Sequence, residues 1–237
     1  MKNPKTQPSP RRPKIGSRGF TLIELLIVIA IIAVLSVIGF GISRKAIDSA
    51  RASTCVSNVR QMGMALLMHA NDNNAKLIPL QPSENPDTGK RPPIWPVQLA
   101  QEGYLWDGKG TVPCGTGVWT CPDCDFMSNA YGGYGVVEDS IFVYEESSPF
   151  GVSESGSLRL NKISEPARTW LIGDTTRNAN ELNKGWYAIW SQPSRWSGHG
   201  PAARHNGKVN VCMVDGHVET LTVEEIKNRG LTENVVD

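Results

Sequence analysis

The first 19 residues contain no acidic side chain, although they are strongly basic. Without this segment the chain has 18 of its 24 basic residues against 23 acidic ones, a net charge of −5. The rest of the chain, from residue 20 onward, also lacks a cluster of Lys and Arg. This excludes nucleic-acid binding in a basic groove as its function. A basic start ahead of an acidic body is typical of a topology signal. The basic residues of the start are Lys2, Lys5, Arg11, Arg12, Lys14 and Arg18.

Proline is also absent between Pro13 and Pro79, so a long uninterrupted helix is allowed there. Residues 20–42 form an apolar run whose single charge is Glu24. A bilayer core of ~30 Å needs about 20 helical residues, so the run predicts a transmembrane helix. Basic residues in front of it predict a cytoplasmic N-terminus and an extracytoplasmic body.

Two other kinds of membrane segment fit this run less well. An ordinary secretory signal has an apolar region of about 7–15 residues that ends at a small-x-small cleavage site. The candidate for such a site, Ala50–Ala52, lies beyond Arg44 and Lys45. A plain single-pass anchor is the other alternative. Glu24 argues against both, because a carboxylate in hydrocarbon is kept only where something offsets its cost.

The hexapeptide Gly19-Phe-Thr-Leu-Ile-Glu24 resembles the class III signal of type IV prepilins and type II secretion pseudopilins. The resemblance implies that prepilin peptidase removes the leader 1–19 by cutting between Gly19 and Phe20 and then N-methylates Phe20. The new α-amino cation lies at the depth of Glu24, and the two charges can pair between neighbouring subunits. Other pilin or pseudopilin subunits and an inner-membrane assembly platform are the implied partners.

Residues 43–74 are predicted to continue the helix as an amphipathic segment, and 75–237 to form a β-rich head. An apolar stripe at steps of three and four marks the face that packs on the head. Asn71–Asn74 ends the helix, because Asn and Asp favour turns. The expected fold is α+β, a long N-terminal helix packed on an antiparallel sheet as in pilins. The stripe consists of Ala52, Val56, Val59, Gly63, Leu66 and Ala70.

The C-terminal part reads as a hairpin, with strands at 209–214 and 217–222 and a turn at Asp215-Gly216. His205, Asp215 and Gly216 match a His-x9-Asp-Gly pattern that resembles a C-terminal element of pseudopilin-like proteins, as residues 55–66 resemble another of their segments. This favours a secretion pseudopilin over an adhesive pilin. About 20 Å of strand separates His205 from Asp215, so one ion does not bridge them. His205 is expected to hydrogen-bond a neighbouring loop.

The cysteines allow three interpretations. Outside the cytosol disulfides are favoured, although the pairing cannot be deduced from spacing and one thiol is left over. Zinc is the alternative, bound by Cys121 and Cys124 with Cys114 and a fourth ligand from Cys55, Cys212 or a histidine. Free thiols are the third. Asp174 and Asp215 are weak candidates for a shared calcium site. The five cysteines are Cys55, Cys114, Cys121, Cys124 and Cys212.

These features predict a structural pilus or pseudopilus subunit rather than an enzyme. One rival is a membrane-tethered protein that binds a secreted substrate or glycan without polymerising, for which the seven tryptophans give some support. The other is a tethered hydrolase that uses His199, His205 or His217. No Ser/His/Asp or paired-carboxylate arrangement is visible in the sequence to support it.

Overall fold

The computed structural model describes most of the chain from residue 20 onward. The predicted leader 1–19, with Gly19, lies outside the described residues, and so does Cys114. Side chains at 38–43, where the predicted apolar run ends, are outside the description as well. The described residues are 20–81, 93–105, 117–124, 132–138, 140–142 and 159–233.

The described residues form three α-helices and six strands. The helices are α1 (Leu22–Asp72), α2 (Trp95–Gln101) and α3 (Val223–Asn228). The strands are β1 (Tyr134–Glu138), β2 (Trp170–Thr176), β3 (Ala188–Trp190), β4 (Gly200–Pro201), β5 (Val209–Met213) and β6 (Val218–Leu221). Helix α1 ends at the Asn/Asp-rich segment, as predicted.

The chain divides into two compact units, with the boundary between Ala46 and Ile47 inside α1. The described part of the first unit is the N-terminal half of that helix. Among the described residues, no helix combines the length and the hydropathy expected of a membrane span.

The second unit is a head built around one sheet in the order β3-β1-β2-β5-β6, with β4 paired to β2. The predicted α+β class is confirmed, but the sheet is mixed because β1 and β3 are parallel. Strand β2 is antiparallel to β1 on one side and to β5 on the other. Strand β3 joins the sheet at the outer edge of β1 and runs parallel to it.

The C-terminal half of α1 packs on one face of this sheet, and α3 covers the other. Val59, Met62 and Leu66 are buried in the core shared with Ile172 of β2. Every position of the predicted stripe is buried or half-buried, but the buried face is wider than the stripe. Asn58 is also buried on this face, and its amide donates to the carbonyl of Thr120 and to the hydroxyl of Tyr134, both at 3.2 Å.

Gly63 lets α1 approach β5 closely. A Cβ at this position would lie 2.4 Å from Sγ of Cys212 and 3.1 Å from its Cβ. Replacing Gly63 by Ala is therefore expected to lower the free energy of unfolding by about 1–3 kcal/mol through overpacking. This is opposed by the helix preference for Ala over Gly, about 0.5–1 kcal/mol. Urea unfolding followed by tryptophan fluorescence measures the net change in the free energy of unfolding.

The same substitution made together with Cys212→Ala removes the clashing sulfur. We expect the double variant to lose less stability than the sum of the two single changes, because the two sites share one contact. A Gly63→Ala protein more stable than the parent would mean that the helix and the strand are not in contact at this point.

Candidate functional site

The described N-terminus begins with a reciprocal cap at the start of α1. The backbone N–H and the hydroxyl of Thr21 donate to Oε2 of Glu24 at 2.8 and 2.9 Å. The N–H of Glu24 in turn lies 3.3 Å from Oγ1 of Thr21. This is a capping box, in which the N-cap and N3 residues satisfy each other's free donors. Glu24 therefore stabilises the helix start in addition to the assembly role predicted for it.

An apolar surface surrounds the first turns of α1. Phe20 is 83% exposed, and the large apolar side chains from Leu22 to Val37 are all exposed, on every face of the helix. A helix that is apolar all round is normally covered by lipid or by other protein. This segment is therefore one candidate functional surface.

The second candidate is a buried cluster in the head, formed by Cys55, Cys121, Asp174 and His205. One ligand atom from each of these side chains lies within 4.8 Å of the ligand atoms of the other three. Cys55 belongs to α1 and Asp174 to β2, whereas Cys121 follows a 3-10 turn and His205 precedes β5. The fold thus joins four distant parts of the sequence at one point.

Direct contacts link the members of the buried cluster in pairs. The thiol of Cys55 donates to Oδ1 of Asp174 at 2.9 Å. Sγ of Cys121 lies 3.3 Å from Nε2 of His205. The hydroxyl of Tyr134 donates to Sγ of Cys55 at 3.4 Å. As the sequence predicts, His205 hydrogen-bonds a neighbouring loop.

Charged side chains surround the buried cluster. A carboxylate oxygen of Asp123 lies 3.1 Å from Nδ1 of His205, at ion-pair distance but outside hydrogen-bond geometry. Arg51 on α1 holds the same carboxylate at 3.1 Å. On the other side, Nη1 of the buried Arg204 lies 3.6 Å from Oδ1 of Asp174. The other carboxylate oxygen of Asp174, Oδ2, accepts a 2.8 Å hydrogen bond from the backbone N–H of Asn210.

Local turns place two members of the cluster. The N–H of Cys124 donates to the carbonyl of Cys121 at 2.9 Å, which closes a turn that directs Cys121 inward. Asn206 and Gly207 have φ of 55° and 74°, the left-handed pair of a tight hairpin turn. His205 and Lys208 pair across this turn, so His205 lies opposite the start of β5.

Burial and mutual hydrogen bonds perturb the cluster's protonation. Hydrogen bonds from Cys124 and Cys55 are the main cause that lowers the pKa of Cys121. Burial raises the pKa of Cys55 and raises that of Asp174 to about 6. The pKa of Cys121 and those of Cys55 and Asp174 are thus shifted in opposite directions.

The structure joins some of the predicted cysteine and metal candidates and separates others. Cys124 lies beside Cys121, whereas Cys212 packs against α1 at Gly63. The four described cysteines carry free thiols, and their pairing in disulfides stays a prediction. The prediction that Asp174 and Asp215 share a calcium site is wrong. Asp174 lies beside the start of β5, whereas Asp215 follows the end of that strand.

Asp215 takes part in an exposed network on the C-terminal hairpin. The positive φ of Gly216, 90°, lets the chain turn there. His217 lies between two carboxylates, 2.5 Å from Asp215 and 2.9 Å from Glu219. His199 stacks on Trp190, with ring centroids 5.7 Å apart. In the described part of the chain, His199, His205 and His217 thus lie in three different environments, which gives no support to a shared catalytic site.

Comparison with known families gives two matches. Residues 15–40 match the family described as "Prokaryotic N-terminal methylation motif". Residues 132–226 match the family described as "Protein of unknown function (DUF1559)". The chain therefore carries a prepilin-type N-terminal methylation motif, and the matches support a pilin-like protein. No curated protein and no solved structure gives a significant match. The His-x9-Asp-Gly pattern lies inside the second matched region, and its assignment to pseudopilins stays a resemblance.

Proposed function

We propose that this chain is a structural subunit of a type II secretion-like pseudopilus or a type IV pilus. The observation that carries the proposal is the helix with an exposed apolar surface on all sides that starts at Phe20 and bears Glu24 in its first turn. Such a surface is unfavourable in water. Lipid covers it before assembly and neighbouring subunits cover it afterwards.

In this proposal residues 20–42 anchor the precursor in the cytoplasmic membrane, with the head on the extracytoplasmic side. Prepilin peptidase cuts after Gly19 and methylates Phe20, a role supported by the methylation-motif match over residues 15–40. The mature α-amino group pairs with Glu24 of a neighbouring subunit, because two opposite charges are tolerated in an apolar core where one is not. The His-x9-Asp-Gly pattern favours a pseudopilus. The role is structural and not enzymatic.

Mass spectrometry of the protein isolated from membranes tests maturation. We expect a mature N-terminus at N-methyl-Phe20. Replacing Gly19 by Val is expected to leave the leader attached, because a branched side chain occupies the space that glycine leaves at the cut site. Gly16→Val is the matched control, since it adds the same side chain three residues earlier, and it should still be processed.

Two results would contradict the proposal. One is a native protein that keeps its first 19 residues. The other is a Gly19→Val protein cut at the same position as the parent.

A further inference from the structure

The buried cluster brings together the chemical groups that Zn²⁺ prefers. Two cysteine sulfurs, one imidazole nitrogen and one carboxylate oxygen lie within 4.8 Å of one another, and all four residues are buried. Zinc in proteins is bound tetrahedrally by Cys, His and Asp or Glu. We propose that Cys55, Cys121, Asp174 and His205 bind one structural Zn²⁺ ion.

The distances suit a tetrahedral ion. Zn–S bonds of about 2.3 Å and Zn–N bonds of about 2.0–2.1 Å place ligand atoms roughly 3.3–3.8 Å apart. The Cys121–His205 contact is 3.3 Å and the Cys55–Asp174 contact is 2.9 Å. The Cys55–Asp174 contact is shorter than this range, so these two side chains would move apart to admit the ion.

The groups behind the ligands match those that usually support zinc. A zinc-bound histidine normally presents its other ring nitrogen to a carboxylate or a carbonyl, which fixes the ring. Nε2 of His205 faces the cluster, and Nδ1 has Asp123 at 3.1 Å. Arg51 holds Asp123 from α1. The carboxylate lies near Nδ1 without a hydrogen bond to it, so it takes this supporting role only once the metal-bound ring turns toward it.

The charges balance when the ion is bound. Two thiolates and one carboxylate carry one negative charge more than Zn²⁺ neutralises. The guanidinium of Arg204 supplies the missing positive charge, 3.6 Å from Asp174 and 2% exposed. Buried charges are retained where they are paired or bind metal, and Arg204 would complete such a balance.

A disulfide between Cys55 and Cys121 would leave more of the buried polar groups without a partner than a bound metal ion would. It would remove the S–H that donates to Asp174 and would convert the sulfur that contacts His205 into a poorer acceptor. Two buried polar side chains would then be short of a partner, which costs free energy. A metal ion instead uses all four groups at once. The ion would tie α1 to β2, to the 121–124 turn and to the hairpin at His205.

Elemental analysis of the full-length protein, purified in detergent without chelator, tests the proposal. We expect about one zinc per chain, and X-ray absorption at the zinc edge should give two sulfur and two nitrogen or oxygen neighbours. Cys121→Ser and His205→Ala should lose the zinc. Cys212→Ser and Cys124→Ser are the matched controls, since neither residue belongs to the ligand set, and both should retain it.

Asp123→Asn gives an independent readout that does not remove a ligand. Loss of the carboxylate behind His205 is expected to weaken zinc binding by about 10- to 100-fold, measured by competition with a chromophoric chelator. Stripping zinc from the parent protein with a chelator should lower its melting temperature, because the ion binds only the folded state.

Three outcomes would overturn the proposal, and the first two need no variant. One is folded parent protein with little or no zinc. The second is a disulfide joining Cys55 to Cys121 in non-reduced peptide maps. The third is a Cys212→Ser or Cys124→Ser protein that loses zinc as completely as Cys121→Ser. None of these outcomes depends on cleavage after Gly19, so the zinc site and the proposed function stand or fall separately.

Discussion

Replacing Glu24 by Gln is expected to leave the protein cut and membrane-bound but nearly absent from filaments. Glutamine keeps the size of the side chain and serves as well as glutamate in a capping box with Thr21, so the helix start should survive. What it removes is the negative charge that pairs with the α-amino group of a neighbouring subunit. Incorporation should fall by roughly two orders of magnitude, measured by quantitative immunoblotting of sheared filaments against the membrane fraction.

Thr21→Ala is the matched variant for this experiment. It removes the hydroxyl partner in the cap, which accepts from the N–H of Glu24 at 3.3 Å, and keeps the carboxylate. We expect it to enter filaments, because the assembly charge is intact. Normal filament entry by Glu24→Gln would contradict the charge-pair mechanism. Normal binding activity by a protein that never enters filaments would favour the rival, a tethered binding protein.

Local chemistry made several elements of the head predictable. Asp215-Gly216 is a dipeptide that accepts positive φ, and it turns the chain where the sequence predicts a hairpin turn. The end of α1 at Asp72 follows from the Asn/Asp run at 71–74, because these residues favour turns. In each case the residues that decide the conformation lie within a few positions of one another, so their sequence carries the information.

The capping box at the start of α1 was equally readable but was missed. Thr21-x-x-Glu24 has the spacing of an N-cap and an N3 residue ahead of an apolar run. From the sequence, Glu24 was interpreted only as the partner of the α-amino group in assembly. The same spacing occurs at Thr222 and Glu225, which form the capping box of α3. A search for this pattern would have located both helix starts.

The buried cluster could not be assembled from the sequence, because its contacts are long-range. Cys55 and Asp174, which share a hydrogen bond, are separated by 119 positions. Their meeting depends on how α1 docks on β2, and spacing within either segment does not reveal this. From the sequence, the zinc alternative joined Cys121, Cys124 and Cys114 and left the fourth ligand open among Cys55, Cys212 and the histidines. Asp174 was paired with Asp215 instead of with Cys55 for the same reason.

Replacing Leu66 by Ala is expected to lower the free energy of unfolding by about 2–5 kcal/mol. Leu66 is fully buried on the face of α1 that meets the sheet, in the core that contains Ile172. The loss combines the transfer of a large apolar side chain with the cavity left behind, and a helix held rigidly on a sheet collapses little to fill it. Urea unfolding of the full-length protein in detergent, followed by tryptophan fluorescence, measures the change.

Met68→Ala is the matched control, two residues further along the same helix. Met68 is 54% exposed, and Met and Leu are similar in volume and helix preference. Its truncation should change the stability by no more than about 0.5 kcal/mol. A large difference between the two variants locates the stabilising contact on one side of α1. Equal effects would mean that this half of the helix is not docked on the head in solution. Cys55 lies on the same helix surface, one turn before Val59. It would then have no fixed position in the buried cluster.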